Sequence, residues 1–418
     1  MNCKFSGGHL NGEFHAPPSK SYTHRAIILA SAAEGESTIE RPLVSFDTMS
    51  TMDAMRSMGA TVGQICGALR IKGAKLHPPA KPIDVGNSGT TLRLLSGLVS
   101  SFDTPVVLTG DDSIKKRPMG PLLDALVSMG VDCTSNGGKP PVTVKGSNPG
   151  GVVHVRGDIS SQFISSLIMS APFLRNDSHI TIDGNSVSKP YVDITLKIMR
   201  DFGIEVCEDN GYHVRGMQRY KARDYIVPAD MSSAAFPIVG GALSGCVTMK
   251  GFDADDPQGD KKIIDIVKAA GANVEISGNN VTVAAGKLSG CDVDMSEIPD
   301  LFPIVAVLLS TADGRSELHG APHLRHKESD RIESVTGMLK TLGADIQPTE
   351  GGCIINGVRK LKGGTIDHMG DHRIMMSAAI ASLVSDSPIF MKDAECCSVS
   401  YPDFIDTMQR MGMSVCTD

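Results

Sequence analysis

A hydrophobic-Gly-hydrophobic tripeptide recurs six times along the chain, each time where an amphipathic helical pattern gives way to a strand pattern. The copies are Met58-Gly59-Ala60, Met129-Gly130-Val131, Phe202-Gly203-Ile204, Ala270-Gly271-Ala272, Leu342-Gly343-Ala344 and Met411-Gly412-Met413, with glycines 71, 73, 68, 72 and 69 residues apart. Such even spacing with the same flanks predicts one supersecondary unit used six times. In each copy the glycine takes the left-handed position that ends a helix without a Cβ clash, and the apolar residue after it opens a strand. The period exceeds the roughly 20 to 50 residues of solenoid repeats, so compact duplicated domains are expected rather than an extended array.

Each copy reads as apolar helix, strand, amphipathic helix ending at the glycine, then two short strands about a turn. In copy five, Leu301 to Ser310 reads as helix, Arg315 to Leu318 as strand, and Ser329 to Leu342 as helix. Ala344 to Gln347 and Cys353 to Ile355 then form a hairpin about Glu350-Gly351-Gly352. The sixth copy stops one strand after its helix, and the first residues, around Cys3-Lys4-Phe5, are expected to supply the missing strand. Residues 1–13 therefore go with the C-terminal half, 226–418, and copies one to three form a separate domain, 14–225. Two crossings, near Phe14 to Pro18 and Arg223 to Pro228, make a hinge.

A chain of 418 residues, 41% hydrophobic and 21% charged, is long enough for two or more cores. A formal charge of -7 and only 4% aromatic residues argue against a general nucleic-acid binder. Ten cysteines without a C-x-x-C pair or a histidine at metal-ligand spacing read as free thiols of a reducing compartment, with no metal site. The start MNCKFSGGHLNG has no signal or transit pattern, and the longest apolar runs are far short of the roughly 20 residues that span a bilayer. A soluble cytoplasmic protein with no membrane partner is expected, and a monomer.

A small polar cluster precedes each apolar helix: Ser19-Lys20-Ser21 to Arg25, Gly86-Asn87-Ser88-Gly89-Thr90-Thr91, Ser160-Ser161-Gln162, Asp230-Met231-Ser232-Ser233, Pro299-Asp300 and Asp371-His372-Arg373. Free N–H groups and the positive dipole end make helix N-termini anion sites. Capping accounts for Ser, Asp and Asn at such positions, and for Asp230, Ser232 and Ser233 capping and functional readings stand level. Capping does not account for the cations Lys20, Arg25, Arg117 and Arg373, or for Lys327 and Arg331. The last two lie four residues apart, on one helix face if the helix starts near Glu328. Together they suit more than one anion. GNSGTT lacks both the Lys-Ser/Thr ending of a P-loop and the setting of a dinucleotide fold, so ATP and NAD readings are poor.

The motifs PPSKSYTHR, GNSGTTLR, KKRPMGPLLDAL, DISSQF, SKPYVDITL, DMSSAAF, IPDLFPI, LRHKESDRIE, DHR and SYPDF, in this order and spacing, resemble those of the 5-enolpyruvylshikimate-3-phosphate synthases, members of the enolpyruvyl transferase family. The resemblance covers about residues 14 to 404, and LRHKESDR is its most specific part. It implies an α+β fold of two similar domains, each of three βαβαββ units about a pseudo-threefold axis, with the active site in the interdomain cleft. The implied reaction is attack of the 5-hydroxyl of shikimate 3-phosphate on C2 of phosphoenolpyruvate, through a tetrahedral adduct that expels phosphate. It needs no metal or organic cofactor.

By matching position, Lys20, Ser21 and Arg25 resemble residues that hold the shikimate carboxylate, with Lys20 also reaching phosphoenolpyruvate. Ser160, Ser161, Gln162 and Ser188 resemble contacts to shikimate 3-phosphate, with Tyr191 near its ring. Gly89, Arg117, Gln162, Arg331 and Arg373 match the phosphoenolpyruvate site, with His372 beside it. Asp300 and Lys327 match the pair at the reacting hydroxyl, and Glu328 the proton carrier at C3. Each substrate brings about three negative charges near neutral pH, matched by the six cations Lys20, Arg25, Arg117, Lys327, Arg331 and Arg373. Without anions these cations repel one another, and the first anion is expected to favour closure of the halves.

Two departures, at His323 and Val399, limit the carry-over. His323 stands where relatives often have Asn. Val399 stands where some carry a lysine. Unsubstituted Gly89 leaves room for a phosphonate analogue of phosphoenolpyruvate such as glyphosate. The rival of the same architecture, UDP-N-acetylglucosamine enolpyruvyl transferase, has a characteristic cysteine where this chain has Asp112. The Ser-Lys-Ser start, Ser160-Ser161-Gln162 and LRHKESDR favour the first reading. A noncatalytic phosphometabolite sensor would be free to lose Asp300 or Glu328, and both are present. An RNA 3′-phosphate cyclase relative would need a nucleophilic histidine and nucleotide contacts, for which there is no sequence support.

Overall fold

A computed structural model describes residues 1–184 and 187–418. Among the described residues twelve α-helices alternate between two kinds. Those with odd numbers are the apolar ones: α1 (Lys20–Ala32), α3 (Gly89–Val99), α5 (Ser161–Ser170), α7 (Met231–Ser244), α9 (Phe302–Leu309) and α11 (His372–Ala381). The even ones end at the recurring glycines: α2 (Phe46–Ser57), α4 (Gly120–Ser128), α6 (Lys189–Asp201), α8 (Ile263–Ala269), α10 (Arg331–Thr341) and α12 (Phe404–Arg410).

All six glycines have positive φ, from 79° at Gly343 to 109° at Gly412. At five of them the N–H of the following residue reaches back into the helix, as Ile204 N does to Met199 O at 2.9 Å. This double back-bonding satisfies carbonyls that a helix end leaves open.

Among the described residues six four-stranded sheets repeat one topology. In the second, Ile83–Asp84 runs parallel to Val106–Thr109, which pairs antiparallel with Val142–Lys145, and that strand pairs with Asp132–Ser135. Helices α3 and α4 fill the two crossovers, giving the βαβαββ order. The odd helices are buried nearly all round; every residue of α9 is buried. A helix apolar on all faces belongs in a centre, and α7, α9 and α11 pack on one another there.

Two compact units result, one of Pro18–Pro228 and one of Met1–Pro17 with Ala229–Asp418, each with its own core. The N-terminal strand Cys3–Gly8 pairs antiparallel with Met413–Thr417 and with Ile389–Met391, completing the sixth sheet. The crossings fall later than the expected residues 14 and 226. Leu10–His15 runs parallel to Gly245–Lys250 through Phe14 and His15, so those residues stay with the C-terminal unit. Tyr225–Ile226 pairs with Ile39–Glu40, which keeps 226–228 in the N-terminal unit.

Copy five departs from its sequence reading in one place. Its second helix begins at Arg331, because the Asp330 carboxylate accepts the Glu333 N–H at 3.2 Å and caps it there. Lys327 lies outside this helix, after a short 3₁₀ turn, Pro322–His326, so it does not share a helix face with Arg331. All ten cysteine thiols are free. Among the described residues no helix is long and apolar enough to cross a membrane, and no group of three or more His, Cys, Asp or Glu could hold a metal ion.

Candidate active site

The polar clusters stand at helix starts. Ser88, Ser160, Asp230 and Asp371 cap α3, α5, α7 and α11 with their side chains; Ser19 precedes α1 without such a bond, and Asp300 lies in the 3₁₀ turn Pro299–Leu301 before α9. Asp230 accepts the Ser233 N–H at 2.8 Å, so it caps. Ser232 instead turns its hydroxyl to Asp260.

In the N-terminal unit, Lys20 donates to Asp47 of α2 at 3.1 Å. Arg25 is buried, and its fork is occupied by Thr195 Oγ1 at 2.7 Å, Ser165 Oγ at 3.3 Å, and the carbonyls of Ser21 at 2.9 Å and Tyr191 at 3.2 Å. Burial pulls this guanidinium down to about 10. The structure thus joins Arg25, Ser21 and Tyr191 through main-chain carbonyls of the latter two.

Gln162 ties two helix starts together. Its Oε1 accepts from Arg93 at 2.7 Å, and its Nε2 donates to Thr90 at 2.9 Å. Arg93 lies over the Phe163 ring, 5.5 Å from its centroid. Arg117 donates to Asn87 at 3.0 Å. Its Nη1 lies 2.7 Å from where a Cβ on Gly89 would be, so a larger residue at this helix start would displace the Arg117 guanidinium. Ser160 Oγ accepts the Gln162 N–H at 3.3 Å, and Ser161 is buried in the first turn. Ser188 precedes α6 in a left-handed conformation, φ 57°, which costs a non-glycine residue energy and clusters at functional sites. Behind them, His24 Nδ1 meets Thr51 Oγ1 at 2.7 Å, and Thr51 meets Thr91 at 2.7 Å. Burial, then Lys20 and Arg25, hold His24 well below the usual histidine range.

In the C-terminal unit Asp300 is the hub. Its Oδ1 accepts from Arg331 at 2.7 Å with Lys327 at 3.7 Å, and its Oδ2 accepts from Arg373 at 2.8 Å. Burial pushes its carboxyl up, but Arg373, Lys327 and Arg331 outweigh burial and hold it well below the usual carboxylate range. Arg331 also donates to Glu328 at 2.6 Å and to Asp371 at 2.9 Å. Burial opposes its charge, and Asp371, Glu328 and Asp300 more than offset this. His372 lies 4.0 Å from Asp371 and is buried. His323 is 4% exposed; burial first, then Lys327, bring it down to about 3, so it is a neutral imidazole. Neither of its ring nitrogens has a hydrogen-bond partner among the described residues.

Asp300 thus holds two guanidinium groups and an ammonium together, and cations of this kind suit carboxylate and phosphate groups. A family model described as EPSP synthase (3-phosphoshikimate 1-carboxyvinyltransferase) matches residues 6–408. The chain belongs to the EPSP synthase family. It is 47% identical over 416 residues to the 3-phosphoshikimate 1-carboxyvinyltransferase of Methanocorpusculum labreanum, covering 99% of both chains. It is 44% identical to the protein of that name from Methanocaldococcus jannaschii, covering 97% of both. A solved EPSP synthase from Acinetobacter baumannii superposes with a TM-score of 0.82 at 30% identity, over 100% of each chain.

Sequence reasoning on the EPSP synthase motifs missed four groups: Asp47, the counter-ion of Lys20; Arg93, which lies inside GNSGTTLR; Asp371 as partner of Arg331; and the Ser232–Asp260 pair. Arg93 was findable as the only cation of its motif, GNSGTTLR, and that motif's cation had been given no role. Asp47 and Asp260 carry no local signal, because their partners are 27 and 28 residues away in the chain.

Proposed function

We propose that the protein transfers the enolpyruvyl group of phosphoenolpyruvate to the 5-hydroxyl of shikimate 3-phosphate, releasing phosphate, in the shikimate pathway to chorismate and the aromatic amino acids. The observation that carries the residue assignments is the Asp300 carboxylate in the clasp of Arg331, Arg373 and Lys327.

Held by three cations, Asp300 is a poor base. The phosphate and carboxylate of phosphoenolpyruvate compete for Arg331 and Arg373, and each pairing lost raises the Asp300 carboxyl toward its ordinary range. Substrate binding therefore arms the base. Asp300 takes the proton of the 5-hydroxyl as its oxygen bonds to C2, while Glu328 gives a proton to C3, forming the tetrahedral adduct. Glu328 then takes a proton back from C3 as the bond from C2 to the phosphate oxygen breaks. Phosphate leaves, and the proton held by Asp300 passes out with it or to water. Lys327, a point charge beside Asp300, favours the charged form of that carboxylate and of the incoming alkoxide.

The N-terminal unit supplies the other contacts. Lys20, Ser21, Arg25, Ser160, Ser161, Gln162, Ser188 and Tyr191 bind shikimate 3-phosphate, and Arg117 with Gly89 binds phosphoenolpyruvate. Free N–H groups at the starts of α3 and α5 favour anions there. The protein acts as a monomer in the cytoplasm.

Phosphate release from the two substrates tests this. Asp300→Asn and Glu328→Gln are each expected to lower kcat by about 10²–10⁴-fold, the usual worth of a positioned acid or base. Lys327→Met should raise the KM values as well as lower kcat. Parent-like kcat in both carboxylate variants would overturn the assignment.

A further inference from the structure

Asp260 is a buried carboxyl that this mechanism leaves unused. It lies in the 3₁₀ turn Gly259–Lys262, which Gln258 fastens to the start of α7 by accepting the Met231 N–H at 3.0 Å and donating to the Ala229 carbonyl at 2.8 Å. Ser232, in the first turn of α7, donates its hydroxyl to Asp260 Oδ2. The other oxygen, Oδ1, is buried without a partner among the described residues, and the residue is 2% exposed. The charged groups of neighbouring elements whose fields act most strongly on it are Asp300 before α9, Arg373 at the start of α11 and Asp230 at the cap of α7. Two of these are negative, and the one cation already serves Asp300.

A carboxylate so placed would set a third negative charge beside Asp300 and Asp230 in a dry setting, so the neutral acid is favoured. Burial, then Asp300, push the Asp260 carboxyl up to about 7, with Ser232, Arg373 and Asp230 acting after them.

We propose that Asp260 is a positioning residue for the anion site: seated by Ser232, it stays in its acid form while phosphoenolpyruvate is bound, and its ionisation weakens the hold of Arg373 on that substrate. The proposal rests on the assignment of Asp300 and Arg373 given above. Its logic is linkage. Bound anions favour the uncharged form of a neighbouring acid, so binding raises the proton affinity of Asp260, and substrate affinity falls as pH rises above the free-enzyme value.

Two comparisons of the native chain with Asp260→Asn and Ser232→Ala test it. The first needs no substrate: the folding constant is measured by denaturant between pH 4 and pH 9. A group whose folded value is raised from about 3.9 stabilises fully below that pH and loses its contribution as pH rises through about 7. The native chain is therefore expected to lose up to tenfold in folding constant per pH unit across that window relative to Asp260→Asn. The second follows KM for phosphoenolpyruvate, separately from kcat, between pH 6 and pH 9. The native chain is expected to lose affinity by up to tenfold per unit above about pH 7, and Asp260→Asn to lack that limb while sharing the substrate's own titration.

Ser232→Ala removes a hydrogen bond that favours the ionised carboxyl, so it should move both limbs to higher pH. If Asp260→Asn does not fold, the direction of the Ser232→Ala shift decides. Equal slopes in native chain and Asp260→Asn, or a shift to lower pH in Ser232→Ala, overturn the proposal. Absence of phosphate release by the native chain would instead sink the functional reading, and the folding comparison would still decide whether Asp260 holds a proton.

Discussion

Asp371 has two tasks: one oxygen caps α11 through the Arg373 N–H at 2.9 Å, and the other binds Arg331 at 2.9 Å. Asp371→Asn keeps a cap but leaves buried Arg331 short of a counter-charge. Breaking a buried pair from one side costs about 3–5 kcal/mol, and the remaining carboxylates Glu328 and Asp300 place the expected loss toward the lower end, read by denaturant unfolding. His24 and His323 give a pH signature. Both fall below the usual histidine value in the folded chain, so the unfolded state binds their protons first. Their stabilisation is present above about pH 6.5 and is lost as pH falls toward about 3, where His323 itself charges. His323→Asn should remove one proton's worth of that slope, about 1.4 kcal/mol per pH unit at most. An unchanged slope would mean His323 is charged in the folded protein. At this scale the sequence was most legible where a motif named a residue and least where a partner came from another copy. Asp300, Lys327, Arg331 and Arg373 were found and do converge, whereas Asp47 and Asp260 became visible only when the fold brought them to Lys20 and Ser232.

The elements were legible because their signals are local. A glycine after an amphipathic run marks a helix end whatever surrounds it, and the six glycines do adopt positive φ. At Gly130, φ 85°, a Cβ would meet nothing within 4 Å, so Gly130→Ala tests conformation alone. The expected cost is about 1–2 kcal/mol, the left-handed penalty for an L-residue; a neutral effect would show that the helix end relaxes. The helix expected from Ser329 starts later because Asp330 and Glu333 form the stronger cap, a pattern readable as Asp-x-x-Glu. Pairing between distant strands was legible only as a deficit: the last copy lacked a strand. Phe5 of the strand that fills it is fully buried, so Phe5→Ala should cost about 3–5 kcal/mol, measured by thermal or chemical unfolding.

At the scale of the molecule, a chain of net charge -7 gathers Arg331, Arg373 and Lys327 about Asp300, where we propose that a small anion binds. Attraction to a local positive patch is screened over about 8–10 Å at ordinary ionic strength. KM for phosphoenolpyruvate should therefore climb several-fold between low salt and about 0.5 M salt, with kcat changing less; a flat KM would place the binding energy in directed hydrogen bonds instead.

The terminal strand carries a last consequence. Asp418 donates its N–H to the Asn2 carbonyl at 3.0 Å, so head and tail are neighbours within one unit, into which the other, Pro18–Pro228, is spliced as an insert. Stitching residue 418 to residue 1 with a brief linker and opening the ring before Pro18 would reorder the polypeptide without altering any strand partner. Each lobe would then be spelled out uninterrupted, with one covalent thread between them in place of two.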